Sequence, residues 1–431
     1  MDSNLDPWGS SQVKDYKKMR EEFGIEPFDF NLSGNKMAIR NLIVGQRDFW
    51  RIKKAMDRKD KFAAMTGLMP SGEMHLGSKA IIEQMIYFQQ KGAEAHIAVA
   101  DLESYATRNI PLEKARAIAI ENFLLNYIAL GLKKCNFYFQ STSSRIQKFA
   151  FVLSKEVTFS EMKAIYGFGD SKRMLEINSP LIQASDILSP QIYGEAMPTI
   201  VPIGADQDPH LRVTRDISGR MNIIKTRKNE DGLTFSIGGS GDPEPFFQII
   251  KKATAGLNIR IKKINTKYRT IEVEKYGEDL YDLETAISRM ERGLNPNNTL
   301  APSSLIMRLE TGIRGGKMSK SVPDSTISLN EDPGEAEKKI RKALTGGREN
   351  VEEQKKLGGN PYICPVFELY LYHLSSEESD LKRVEDECKS GARLCGACKM
   401  EASDLMKALL VGLKEKRESS RHMVKEFLEN E

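Results

Sequence analysis

The chain has 431 residues, 64 Lys and Arg against 60 Asp and Glu, and a formal net charge of only +4. That length exceeds one ordinary domain and suits two or three, while the near balance of charge excludes the strong basic excess of a protein that coats DNA. A nucleic-acid partner would therefore have to meet local positive charge.

The N-terminal "MDSNLDPWGSSQVKDYKKMREEFG" has no basic region followed by an apolar one, and no run reaches the length of a membrane-spanning helix. The expectation is a soluble, cytoplasmic protein with no membrane partner. Five cysteines, an odd number in a long chain, point to reduced thiols.

From Lys61 onward, strand and helix patterns alternate. "FAAMTG" reads as a short buried strand, and "GSKAIIEQMIYFQQKG" as a helix with apolar Ala80, Ile81, Met85 and Phe88 at helical spacing and a stop at Gly92. "AHIAVAD" is a second strand. "PLEKARAIAIENFLLNYIALG" is a helix with Pro111 in its first turn and Gly131 beyond its end, and "NFYFQ" is a third strand. Such alternation predicts parallel βαβ units, hence an α/β fold with a doubly wound parallel sheet. Ligands bind such sheets beyond the carboxyl ends of the strands.

Between Gly232 and Thr299 the rhythm changes to "FSIGG", "PFFQIIKKATAG", "IRIKKINTKYRTIEVEK" and "LYDLETAISRMERG", which predicts a small inserted α+β module. Within it, Arg260, Lys262, Lys263, Lys267 and Arg269 read first as the solvated edge of a strand, since period-two alternation places charges on one face; the second reading is a tRNA-contacting appendage. From about residue 329 the pattern is helical to the end.

Two stretches carry chemistry. In "MTGLMPSGEMHLGS", a strand runs through a Pro-Ser-Gly turn into His75, Gly77 and Ser78 at the start of a helix. Glycine lets the backbone approach a ligand, and helix N-terminal amides favour an anion. The spacing is neither that of a dinucleotide fingerprint nor that of a P-loop. The plainer reading is a tight turn with a capping histidine. In "GIRGGKMSKSVPDSTI", Lys317 and Lys320 sit among glycines and hydroxyl residues, on a loop able to close over a triphosphate. Nucleotidyl transfer depends mainly on such positioned charge.

Together, "HLGS" and "KMSKS" resemble the two signature motifs of class I aminoacyl-tRNA synthetases. "PWGSSQVKDYKKMREEFGI", "EVTFSEMKAIYGF", "PLIQASDIL" and "VPIGADQDPHLRVTRD" narrow the resemblance to the archaeal and eukaryotic tryptophanyl type, from about Asp6 to Leu428.

The resemblance implies an N-terminal extension (1–60), a Rossmann-like catalytic domain (61–328, with 232–299 inserted) and a helical anticodon-binding domain (329–431). It implies catalytic roles for His75, Lys317 and Lys320. ATP would be bound by His75, Gly77, Ser78, Gly204, Asp206, Lys317, Met318, Ser319 and Lys320. The tryptophan pocket would be Met65, Glu103, Gln183 and Gln207, with Glu103 accepting from the indole N–H. ATP as substrate with Mg²⁺, tRNA(Trp) and a homodimer complete the expectation.

Two departures stand out: Met65 replaces a tyrosine of the eukaryotic relatives, and Ser78 replaces the last histidine of the first motif. His210 reads as a helix-start residue. Cys388, Cys395 and Cys398 in "CKSGARLCGAC" include a C-x-x-C, but without a recognisable second pair the expectation is thiols and no metal. The competing readings are a tyrosine-specific synthetase, a nucleotidylyltransferase without tRNA, and an inactive tRNA-binding relative.

Overall fold

The computed structural model describes residues 15–192, 194–230, 232–274, 280–316, 318 and 323–429. Its main sheet comprises β1 (Ile43–Arg47), β2 (Ala63–Leu68), β3 (Glu94–Val99), β4 (Asn136–Phe139), β5 (Thr199–Gly204) and a last strand, Ser303–Met307. Their spatial order is β1, Ser303–Met307, β5, β2, β3, β4, all parallel except β1.

Period-two alternation sorts the side chains of these strands cleanly. Ala64, Leu68, Ile97, Val99, Phe137, Phe139, Leu305 and Met307 join one core with Leu76, Ala80 and Met85 and with the C-terminal helices. Met65, Ala98, Tyr138, Val201, Ile203 and Ile306 face the opposite way, into a second core with Ile146, Ile182 and Ile187. A strand buried on both faces reads as a near-continuous apolar run, which is how these strands look in the sequence. Because the chain winds outward from β2 through β3 to β4, and from β5 in the other direction, the topological switch point lies between β2 and β5.

Two boundaries differ from those drawn on the sequence. The sheet takes in β1, ahead of residue 60, as its antiparallel edge. The second sheet contains β6 (Ile224–Asn229), β7 (Gly232–Ile237), β8 (Ile261–Asn265) and β9 (Thr270–Glu274) in the order β6-β7-β9-β8, so it begins eight residues before Gly232. β6 escapes sequence reading because only Ile224 of "IKTRKN" is buried. One face of this sheet holds Leu233, Phe235, Ile271 and Val273 against helices Glu244–Gly256 and Leu280–Arg292. Lys262 and Lys263 on β8 are exposed.

From Pro333 the chain is helical, and its longest helix, Cys395–Ser420, packs on Pro333–Arg341 and on Leu125–Leu130. The predicted helix after Pro111 is continuous but contains a π-helical turn at Ala119–Leu124.

Candidate active site

The segment after β2 turns through Gly72, whose φ of +148° only glycine adopts readily, and reaches His75, the N-cap of helix Leu76–Gln90. The backbone here pairs with the segment that follows the lysine loop: Leu76 N–H donates to Ile327 O (3.1 Å) and Leu329 N–H to Met74 O (2.8 Å). The two signature stretches, some 240 residues apart in sequence, are thus bonded together at the helix N-terminus. The imidazole of His75 folds back over the first turn, where a Cβ on Gly77 would lie 3.1 Å from Cε1 and 3.2 Å from Nδ1. Glycine at 77 is therefore what lets His75 occupy this position.

Met318 is buried, with its Sδ 3.6 Å from where that Cβ would stand. The loop ahead of it turns through Gly315 and Gly316, both at positive φ, with Gly312 N–H donating to Gly316 O (2.9 Å). Lys317, Ser319 and Lys320 lie outside the described residues. The base of the loop is fixed to the helical region: Thr311 N–H donates to a Glu368 carboxylate oxygen (2.6 Å), and Arg308 pairs with the same carboxylate. Glu310 and His373 are hydrogen-bonded and wholly buried, and burial pushes the Glu310 carboxyl up to about 8.

At the end of β5, Gly204 leads into Ala205–Gln207. A Cβ on Gly204 would meet Asp206 Oδ1 at 2.7 Å and Leu309 Cδ2 at 3.0 Å, so here too glycine makes room for a polar side chain. The next residue, Asp208, is fully buried and accepts two bonds from Arg47 of β1, each 2.8 Å. The edge strand thereby anchors the start of helix Asp208–Met221. His210, on that helix, meets Tyr166 Oη at 3.1 Å, and burial holds its imidazole down at about 4; neutral and enclosed, it is no base for the site.

The residues expected to hold tryptophan lie in or beside the elements of the second core. Met65 is buried among Ala98, Tyr138, Ile182 and Ala205. Glu103 sits on helix Asp101–Arg108, which packs against Met174–Ile192, the helix carrying Gln183. Gln207 closes the turn after β5. Ser78 instead lines a cavity of about 170 Å³ between the end of β2, Ile81, Ile82, Phe123 and Tyr127, and none of Met65, Glu103, Gln183 or Gln207 reaches that cavity.

Sequence reasoning missed Asp186. It is one helical turn from Gln183, fully buried, and accepts from Tyr138 Oη (2.9 Å) and Gln140 Nε2 (2.5 Å). Burial raises its carboxyl to about 7, and the negative charges of Glu103 and Asp101 push in the same direction. The Gln-x-x-Asp spacing in "PLIQASDIL" was the available signal, since i and i+3 share a helix face.

A strand-turn-helix corner at the switch point of a parallel sheet, bonded through its backbone to the segment that ends the second signature stretch, is the arrangement of a class I aminoacyl-tRNA synthetase. The chain matches the family described as "tRNA synthetases class I (W and Y)" over residues 56–244 and 284–411. It is 46% identical to the "Tryptophan--tRNA ligase" of Thermoplasma volcanium over 98% of this chain and 99% of the relative. It is 44% identical to that of Thermoplasma acidophilum over 98% and 99%. The tryptophanyl-tRNA synthetase structure from Aeropyrum pernix superposes with a TM-score of 0.73 at 32% identity, covering 98% of both chains. The chain belongs to the class I synthetases of the tryptophan and tyrosine group, and within it to the archaeal-type tryptophanyl-tRNA synthetases.

Proposed function

We propose that the crevice beyond β2 and β5 is where this tryptophan–tRNA ligase performs both of its steps. In the first, the tryptophan carboxylate attacks the α-phosphorus of ATP, the bond to the bridging oxygen breaks, and pyrophosphate leaves. In the second, the terminal ribose hydroxyl of tRNA(Trp) attacks the carbonyl of the adenylate, and AMP leaves. No protein nucleophile is needed; catalysis rests on positioning and on charge placed against the phosphates.

His75, Gly77 and Ser78 at the helix N-terminus, with Met318, hold the nucleotide side. Gly204 and Asp206 take the ribose side. Lys317, Ser319 and Lys320 cover the phosphates, and Mg²⁺ enters with ATP, held mainly by phosphate oxygens and water. Met65 forms an apolar wall. Glu103 accepts from the indole N–H, and Gln183 and Gln207 hold the amino and carboxylate end. The observation that carries this reading is the backbone pairing of Met74 and Leu76 with Leu329 and Ile327, which puts the two signature segments on one corner.

The helical region reads the anticodon, where single-stranded bases are recognised by stacking and edge hydrogen bonds. A homodimer is supported by large apolar side chains exposed along one stretch: Phe151, Val152, Phe159, Ile165 and Met174. No helix among the described residues is long and apolar enough to cross a membrane, and a cytoplasmic site of action fits ATP and tRNA as substrates. Exchange of labelled pyrophosphate into ATP, run with tryptophan, tyrosine and phenylalanine, tests the assignment. Exchange with tryptophan alone is expected, and exchange with tyrosine would overturn the pocket.

A further inference from the structure

The helix that follows Pro111 breaks its own register at the π-helical turn Ala119–Leu124. Asn122 stands within that turn, and Asn126, wholly buried, follows four residues later on the same face. A π turn inserts an extra residue into the helix and is met most often at functional sites. Here it turns two side-chain amides toward the nucleotide corner.

Both amides are bonded to the segments that meet there. Asn126 Nδ2 donates to Asn122 O (2.8 Å) and to Asn330 Oδ1 (2.9 Å). Asn330 Nδ2 donates to Asn122 Oδ1 (3.2 Å), and Asn122 Nδ2 donates to Gly72 O at a longer 3.4 Å. Gly72 lies just before Met74 and Asn330 just after Leu329, so the amides bracket the backbone pairing of the two signature segments. The N–H of Asn330 also donates to Ser328 Oγ (3.0 Å), and Ser328 pairs with His75 through the main chain.

The relay runs in one direction only. A backbone carbonyl is purely an acceptor, so Asn126 must turn its NH₂ toward Asn122 O. The same NH₂ makes Asn330 present Oδ1; Asn330 then donates to Asn122 Oδ1, and Asn122 is left donating to Gly72 O. Two main-chain oxygens thus dictate the orientation of three amides. The arrangement has a penalty, because Asn126 Oδ1 is buried with no hydrogen-bond partner among the described residues. An apolar side chain there would remove it, so the asparagine asks for a reason other than stability. Packing does not supply an alternative: between Ser78, Ile81 and Ile82 on one helix and Phe123 and Tyr127 on the other lies the cavity of about 170 Å³. A contact filled so incompletely leaves the seating of the first turn to the hydrogen bonds.

We propose, on the reading of that corner as the ATP site, that Asn122, Asn126 and Asn330 form an amide clasp that positions it for adenylate formation. They are positioning residues, acting through the main chain at Gly72 and Ser328 on the turn that carries His75 and on the end of the lysine-loop segment. Phe123 and Tyr127, beside the clasp, join the first core, whereas Met65 belongs to the second. The clasp and the indole pocket therefore stand on opposite faces of the sheet, and the clasp should govern ATP and leave tryptophan binding alone.

The test is tryptophan-dependent pyrophosphate exchange by the full chain, with ATP and tryptophan varied separately and urea unfolding followed alongside. The variants are Asn126→Leu, Asn330→Ala, their combination and, as the reference for the corner itself, Gly77→Val. Each clasp variant is expected to lower kcat by about 10²-fold, the scale of a displacement of about 1 Å, and to raise KM for ATP with KM for tryptophan unchanged. The combination should fall no further than the worse single variant, because the bonds form one relay. Asn330→Asp keeps the acceptor for Asn126 but turns an oxygen toward Asn122 Oδ1, and should fare no better than Asn330→Ala. If Asn126→Leu does not fold, the two substitutions of the half-buried Asn330 decide. Exchange retained by folded clasp variants while Gly77→Val is impaired would overturn the clasp alone. Exchange retained by Gly77→Val as well would overturn the ATP reading of the corner and the clasp with it. A rise of both KM values in step with a lowered urea midpoint would make the asparagines structural supports and overturn their positioning role.

Discussion

The nucleotide corner and the thiol cavity use glycine in the same way and for different ends. At the corner, Gly77 and Gly204 leave room for His75 and Asp206, polar side chains that follow the carboxyl ends of β2 and β5. In the helical region, Gly347 and Gly359 leave room for Cys395 and Cys388 around a small cavity that Cys364 and Cys398 also line. None of these four glycines has a positive φ, so the reason for glycine is space and not backbone conformation. A methyl group added at each position therefore asks whether the neighbouring side chain must stand where it does.

The largest effect on exchange should come from the loop bonded to the corner. Lys317→Ala combined with Lys320→Ala removes the positive charge proposed to act on the phosphates and is expected to lower tryptophan-dependent pyrophosphate exchange by about 10⁴-fold, since each such donor is worth roughly 10²–10³. Gly77→Val drives a side chain into the His75 ring. Displacement of a group by about 1 Å costs around 10²-fold, so kcat should fall by that order while unfolding in urea is little changed.

On the other side of the comparison, Gly347→Ala overpacks the thiol cavity. It should destabilise the protein by about 1–3 kcal/mol, read by urea unfolding, and change exchange by less than about threefold. A loss of exchange as large as that of Gly77→Val would show that the two regions are not separable.

The smallest readout is a slope. Asp186 has a folded-state value near 7, above that of an unfolded aspartate. Between those values the folded chain binds the extra proton, so its contribution to stability is fully present at low pH and is lost as pH rises toward and through 7. Stability of the unmodified chain should therefore fall relative to Asp186→Asn over that window, by at most about 1.4 kcal/mol per pH unit. A flat difference would place the ionised carboxylate in the folded state throughout.

Much of the fold was legible because the parallel strands are buried on both faces and alternate with long amphipathic helices. β1 and β6 were not: β1 enters the sheet as an antiparallel edge, and β6 exposes nearly every side chain. At the site, the two signature stretches could be read directly, since their glycines, histidine and lysines are contiguous. Asp186 was legible only as a helix-face neighbour of Gln183, because what perturbs it is burial by partners on β4, the following turn and a separate helix. The same holds for the thiol cavity, where local spacing around Cys395 and Cys398 suggested isolated thiols and Cys364 arrives from another turn of chain.

The most direct test of the account is the indole acceptor. Pyrophosphate exchange is measured with tryptophan and with its benzothiophene analogue, which keeps the ring shape but lacks the N–H, in the unmodified chain and in Glu103→Ala. The unmodified chain should prefer tryptophan by about 10²-fold or more, because the analogue has no N–H to donate to Glu103, and the preference should collapse in Glu103→Ala. An undiminished preference in that variant would contradict the assignment of Glu103 and, with it, the placement of tryptophan in this pocket.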